Sequence, residues 1–176
     1  MMRKFLLLVV AALLAVAAMP STALAAVNVK TLPTATFGSP NAASVSLTGG
    51  NFSGLGSVPA DATLTAFGSA TYTCTNPQGH ASPGQNPVPA QPGSASQGLG
   101  NADHNGRGTI TNMTASVTAP NPPPSAQEVG CGGGGSTQWT VVNPVVTVTG
   151  ANLTITQSGS TVFCRNYAGS GTGTAC

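Results

Sequence analysis

Oxygen-bearing side chains recur at alternate positions in Asn101-Ala102-Asp103-His104-Asn105-Gly106 and end on a glycine. That is how a calcium loop begins. The continuation departs from it: the first position is Asn101 rather than aspartate, and the twelfth is Asn112 rather than glutamate. One carboxylate poorly balances a divalent cation, and the same residues form an ordinary Asn/Asp/Gly turn, so no metal site is expected. His80 and His104, beside Asp103, are the residues from which a metal pair or a general base would be built, and a secreted hydrolase would use all three. The chain contains no Gly-x-Ser-x-Gly elbow and no His-Glu-x-x-His pair. Asp61, Asp103 and Glu128 fall on separate predicted turns, whereas a paired-carboxylate hydrolase needs two acids to meet. Gly132–Gly135 with Ser136 and Thr137 lacks the lysine and the following helix of a phosphate loop. No catalytic residue and no cofactor is assigned. The acceptor patterns at Asn51, Asn112 and Asn152 arise readily by chance in an Asn/Thr-rich chain.

Charge narrows the partners. Arg3 and Lys4 precede an apolar run from Phe5 to Ala18, and Ala23-Leu24-Ala25 supplies small residues where a signal peptidase reads. This is the order of a secretory signal, with cleavage expected between Ala25 and Ala26. The apolar run is shorter than the roughly 20 residues of a membrane-spanning helix. The expected organisation is a signal helix over 1–25 and a single domain over 26–176. The whole chain carries a formal charge of +2, which is the contribution of Arg3 and Lys4. Lys30, Arg107 and Arg165 then balance Asp61, Asp103 and Glu128. A neutral chain lacks the basic footprint of a nucleic-acid or anionic-membrane binder. The expectation is a secreted, extracellular protein with no nucleic-acid partner and no membrane contact after cleavage.

Four cysteines remain, Cys74, Cys131, Cys164 and Cys176, none in the signal. An even count in an exported domain implies two disulfides, and four cysteines allow three pairings. We expect Cys74–Cys131, which would join two long segments, and Cys164–Cys176, which would tie the tail to the last strand. Zinc would need closely spaced cysteine pairs, which are absent.

The elements that hold these residues are strands. Glycine and proline are dense, and alternation replaces helical periodicity. The clearest strand spans 62–74, with Leu64, Ala66, Ala70, Tyr72 and Cys74 on one face and threonines and Ser69 on the other. Phe67 alone of the large apolar residues points to the threonine face, where it would pack on a second face, cover an edge or contact a partner. Further strands are expected at 27–37 (an edge, given Pro33), 43–48, 108–119 with a bulge near Thr111 and Asn112, 138–149 interrupted by Pro144, 152–157 and 161–165. Gly150-Ala151 and Ser158-Gly159-Ser160 are expected turns. Residues 75–106 and 119–136 are expected loops, with an extended edge segment conceivable at 86–91. A lone Trp139 at a strand start belongs more often to a core than to a sugar-stacking face.

Gly54-Leu55-Gly56, the run Ala70-Thr71-Tyr72-Thr73-Cys74-Thr75-Asn76, then Pro83-Gly84-Gln85-Asn86-Pro87, Cys131 and Trp139-Thr140-Val141 resemble a group of uncharacterised secreted β-rich proteins of actinobacteria and other soil bacteria. The resemblance covers most of the exported chain and implies a common fold and export, with no activity attached. In size, low charge and small-residue bias the chain is also similar to the enediyne-carrier apoproteins of the neocarzinostatin type, an analogy at the level of fold. The expected fold is therefore all-β: an antiparallel, immunoglobulin-like β-sandwich. The expected function is a non-enzymatic extracellular binding or surface-interaction module for an unknown ligand, with His80, Asp103 and His104 on its recognition loop. The alternatives are a small-molecule carrier with a cleft beside Trp139, Tyr72 and Phe163, a secreted hydrolase, and a protease inhibitor.

Overall fold

The computed structural model describes residues 27–38, 42–56, 58–99, 106–132 and 138–176. Among these there is no helix, and none is long and apolar enough to cross a membrane. The expected signal over residues 1–25, with its expected cleavage between Ala25 and Ala26, lies outside them. All strand pairs are antiparallel.

Thirteen strands are formed among the described residues. Six of them are the halves of three bent ribbons. β1 (Asn28–Thr31) and β2 (Thr34–Phe37) are separated by Pro33; β3 (Ser44–Thr48) and β4 (Asn51–Ser53) by Gly49 and Gly50; β9 (Gly108–Thr109) and β10 (Asn112–Ser116) by Ile110 and Thr111. One half of each ribbon pairs in the order β1-β4-β9, the other in the order β2-β3-β10. The neighbours are the same on both sides of the break, so a three-stranded layer turns a corner along the line Pro33, Gly50, Ile110. Each break has a local cause. Proline cannot continue the ladder. Gly50 has φ 114° and abuts the ring of Pro33. At the third break the Gln97 amide donates to the Thr109 carbonyl (3.0 Å) and accepts from the Thr111 amide (3.4 Å), replacing ladder bonds lost around Ile110. The expected strand 108–119 is thus two strands in two sheets rather than one with a bulge.

The remaining strands form one large sheet around two long partners, β5 (Ala60–Thr75) and β11 (Thr140–Gln157). β12 (Ser160–Tyr167) and β13 (Thr174–Ala175) extend it beyond β11. On the other side β6 (Ala81–Pro83), β7 (Val88–Pro89) and β8 (Gly93–Gly98) line up along β5. This corrects the reading of 75–106 as a projecting loop. The prolines exclude a long strand, but not three short edge pieces.

β11 has 18 residues and β5 has 16, paired from end to end. The two extra residues are bulges, one at Asn143-Pro144 and one at Thr149. A bulge shifts alternation by one residue. Inward positions accordingly change from Val141 to Val146 and Val148, then to Ala151, Leu153 and Ile155. The expected turn at Gly150-Ala151 is this second phase change within a continuous strand. Pro144 sits in the first bulge, with Asn143 at φ 50°. The hairpin to β12 is a two-residue turn, Ser158 (φ 50°) and Gly159 (φ 77°), as glycine and small polar residues favour.

One core lies between the bent layer and the large sheet. Ala35, Val45, Leu47, Phe52, Met113 and Ala115 come from the first, and Leu64, Ala66, Leu153 and Ile155 from the second. The layers approach closely at Gly93, where any Cβ would overlap the Ser116 carbonyl. Gln157 closes one end, its amide donating to the carbonyls of Leu55 and Val58. A second, smaller core holds Ala70, Tyr72, Cys74, Val129 and Cys131. It is covered by the 119–132 segment, where Ser125 and Glu128 cap each other: the Ser125 amide donates to the Glu128 carboxylate (2.6 Å), and the Glu128 amide to the Ser125 hydroxyl (3.3 Å). The Ser125 amide and hydroxyl both donate to the Glu128 carboxylate (2.6 and 2.8 Å) and hold it below its usual range. The cysteines pair as Cys74–Cys131 and Cys164–Cys176, with Cα separations of 6.1 and 5.6 Å. Such bonds accord with an extracellular protein.

Candidate binding groove

The residues singled out by their chemistry do not converge. His80 is exposed in a turn organised by Asn76, whose side-chain oxygen accepts the amides of Gln78 (3.1 Å) and His80 (2.8 Å). Asp103 and His104 lie outside the described residues, as does most of the 101–106 segment. Asp61 is on β5 opposite Thr156, and Glu128 is engaged by Ser125, so these two acids have separate places. Among the described residues no three His, Cys, Asp or Glu side chains are grouped as a metal site would require. The expected carrier cleft is not assembled either. Tyr72 and Trp139 belong to the smaller core, whereas Phe163 packs edge-on against Phe52 (5.0 Å) beside the larger one.

A different site emerges on the outer face of the large sheet. There β5 and β11 present matched pairs: Thr63 with Thr154, Thr65 with Asn152, Phe67 with Gly150, Ser69 with Thr147. Phe67 is 44 % exposed, and the residue opposite it is a glycine. Nothing on the neighbouring strand therefore covers the ring. The bulge at Thr149 opens the sheet surface beside it. The result is an open groove of about 520 Å³, lined by Phe67, Thr149, Gly150, Asn166 and the 168–174 segment. That volume is within the range of ligand sites.

The far wall is the connection from β12 to β13, Ala168-Gly169-Ser170-Gly171-Thr172-Gly173, a sequence that has little stiffness of its own. It is fixed from four directions. Ala35 and Gly171 exchange backbone bonds (2.8 and 2.9 Å). The Phe37 amide donates to the Ser170 hydroxyl (3.0 Å). The Arg165 guanidinium donates to the carbonyls of Thr172 (2.7 Å) and Gly173 (2.6 Å). Cys176 ties the segment's end to Cys164. Gly173, at φ 66°, is packed on the Asn166 carbonyl and the Tyr167 ring, so no larger residue fits. A Gly-rich wall held this firmly has its ordering cost met before any ligand arrives.

Two expectations follow. Arg165→Met removes two charge-assisted bonds, each worth roughly 1.5–3 kcal/mol, and frees the wall locally. The Gly171 amide should then exchange with solvent at least about tenfold faster, while the amides of β5 keep their protection. The second concerns Tyr167, whose ring is buried under the wall and whose hydroxyl donates to the Pro33 carbonyl (3.4 Å). Burial pushes its pKa up to about 12, against the modest opposing effect of Arg165. Burial also raises that of Tyr72. Folding thus favours the neutral phenols. Their contribution is complete below about pH 10, the unfolded value, and is lost as pH rises through the folded value. The thermal midpoint should hold up to about pH 10 and fall between there and about pH 12. Tyr167→Phe should make that fall shallower.

Sequence reasoning noticed Phe67 but not the wall. Its signal was available in a Gly/Ser/Thr run closed off by a terminal cysteine. Comparison with known proteins finds no family model, no curated protein and no solved structure that matches this chain. The groove therefore stands on its own geometry.

Proposed function

We propose that this is a secreted, non-enzymatic extracellular binding module, an antiparallel β-sandwich of immunoglobulin-like type, whose ligand lies in the Phe67 groove. The observation that carries the proposal is the exposed aromatic ring opposite a glycine, beside a wall fixed by Arg165, Ser170, Gly171 and a disulfide. Rigid scaffolds with shaped loops are where recognition is usually built. The groove, rather than the 75–106 segment, is the recognition element, because β6, β7 and β8 of that segment are occupied in covering the edge of β5. Export rests on the signal pattern of residues 1–25 and agrees with the two disulfides.

Co-sedimentation with envelopes of the producing cells tests the reading. The disulfide-bonded protein should pellet with them, and Phe67→Ala should abolish most of that association. At 44 % exposure the ring still buries part of its surface, so the variant should lose about 1 kcal/mol, or roughly 2–4 °C in thermal midpoint, and remain folded. Association undiminished by Phe67→Ala would remove the groove from the account.

A further inference from the structure

We infer that the ligand of the groove is a neutral polysaccharide chain; this rests on the binding reading above and deepens it. No described residue lining the groove carries a charge. On the outer face of the β5–β11 pair Asp61 is the one charged side chain, far along the strand from Phe67. Such a surface offers nothing to fix a phosphate, a carboxylate or a basic peptide.

Approaching Phe67 along the sheet, one rank across four strands reads Ser96, Thr63, Thr154, Cys164, and the next reads Ser94, Thr65, Asn152, Asn166. Strands are about 4.8 Å apart and residues on one face nearly 7 Å apart. Apart from the disulfide-bonded Cys164, these positions present hydroxyls and amides at short, regular intervals. Several are already oriented: Thr63 and Ser96 share a hydrogen bond (3.2 Å), and the Asn152 amide donates to Asn166 (2.8 Å). Of the Thr63–Ser96 pair, the accepting hydroxyl can still donate, and both oxygens can still accept. A sugar ring has this same division, with an apolar C–H face and a rim of hydroxyls. The ring of Phe67 suits the first, and the Thr/Ser/Asn ranks suit the second.

The groove is open rather than enclosed and continues into the outer face of the β5–β11 pair. An extended chain can pass through it, whereas a small molecule would remain largely in solvent.

The test uses the disulfide-bonded protein with insoluble cellulose, chitin and β-1,3-glucan, and with an anionic polymer, polygalacturonate, as contrast. The inference expects retention on at least one neutral polymer, changed less than about twofold by 0.5 M salt, since no ion pair is involved. Phe67→Ala should weaken it about tenfold or more, as loss of a central aromatic anchor does. Phe67→Tyr should restore it, and Phe67→Leu should not. Retention on polygalacturonate alone, a salt-sensitive interaction, or indifference to Phe67→Ala would each overturn the inference. So would a dimer of the parent protein that Phe67→Ala converts to monomer, which would assign the face to a second copy. If envelope association depends on Phe67 but no neutral polymer is retained, the polysaccharide inference fails while the binding reading stands. If neither is seen, both fail.

Discussion

Replacing Cys74 and Cys131 together by alanine is expected to lower stability by about 4 kcal/mol, on the loop-entropy estimate for a bridge of this span. The bond closes a separation of 57 residues. That loop contains β6, β7, β8, β9 and β10, so its closure restricts the unfolded chain across most of the edge of β5 and one whole ribbon of the bent layer. The native cost is added to this. Cys74 and Cys131 are both buried in the smaller core with Ala70, Tyr72 and Val129. That core has few members, and the bridge fastens the 119–132 segment over it together with the Asn86 amide's bond to the Val129 carbonyl (3.1 Å). For a domain of this size each kcal/mol is worth roughly 2–4 °C. The thermal midpoint should therefore fall by about 10 °C or more, measured by circular dichroism. The corresponding change at Cys164 and Cys176 closes a separation of only 12 residues and should cost about 3 kcal/mol. Its larger effect should be on ligand binding, because it releases the groove wall.

Leu64→Ala is expected to cost roughly 3 kcal/mol, within the usual range for a buried leucine. Leu64 is fully buried on β5 and stands directly opposite Leu153 of β11, also fully buried. On its other side it pairs with Ala95 of β8. The two leucines meet the inner side chains of the bent layer in one core. Neither long strand can collapse into the space without breaking a register fixed at both ends. The cavity therefore persists, and the cost lies in lost contacts as well as in transfer. Denaturant titration should show a lower midpoint with an unchanged slope, since the same surface is exposed on unfolding. Thr65→Ala, one residue away on the outer face, should lie within about 0.5 kcal/mol of the parent.

The all-β class and the strands were legible because alternation is local. Along β5, Leu64, Ala66, Ala70, Tyr72 and Cys74 do face inward as their spacing implies. The continuity of β11 was not legible, because its two bulges reverse the alternation and look, in one dimension, like strand ends. Gly150 suggested a turn, whereas it stands opposite Phe67 in a strand that continues through the Thr149 bulge. The 75–106 segment looked like a loop for a related reason: its prolines and glycines report poor intrinsic strand formation, and only the neighbouring edge of β5 holds β6, β7 and β8 in place. The groove was hidden for a longer-range reason. Its ring comes from β5, its floor from a bulge in β11, and its wall from the tail. Ala35, Phe37 and Arg165 fix that wall by bonds between residues far apart in the chain or to backbone atoms that carry no sequence signal. The cysteine pairing was legible in part, since Cys164 and Cys176 lie close in sequence.

The most direct test of the account is an amide chemical-shift map of the ¹⁵N-labelled, disulfide-bonded protein titrated with solubilised envelope polymer from the producing cells. The account predicts changes concentrated at Phe67, Gly150, Asn166 and the 169–174 wall, absent in Phe67→Ala. Changes concentrated instead at the His80 turn, with the groove amides unmoved, would contradict it.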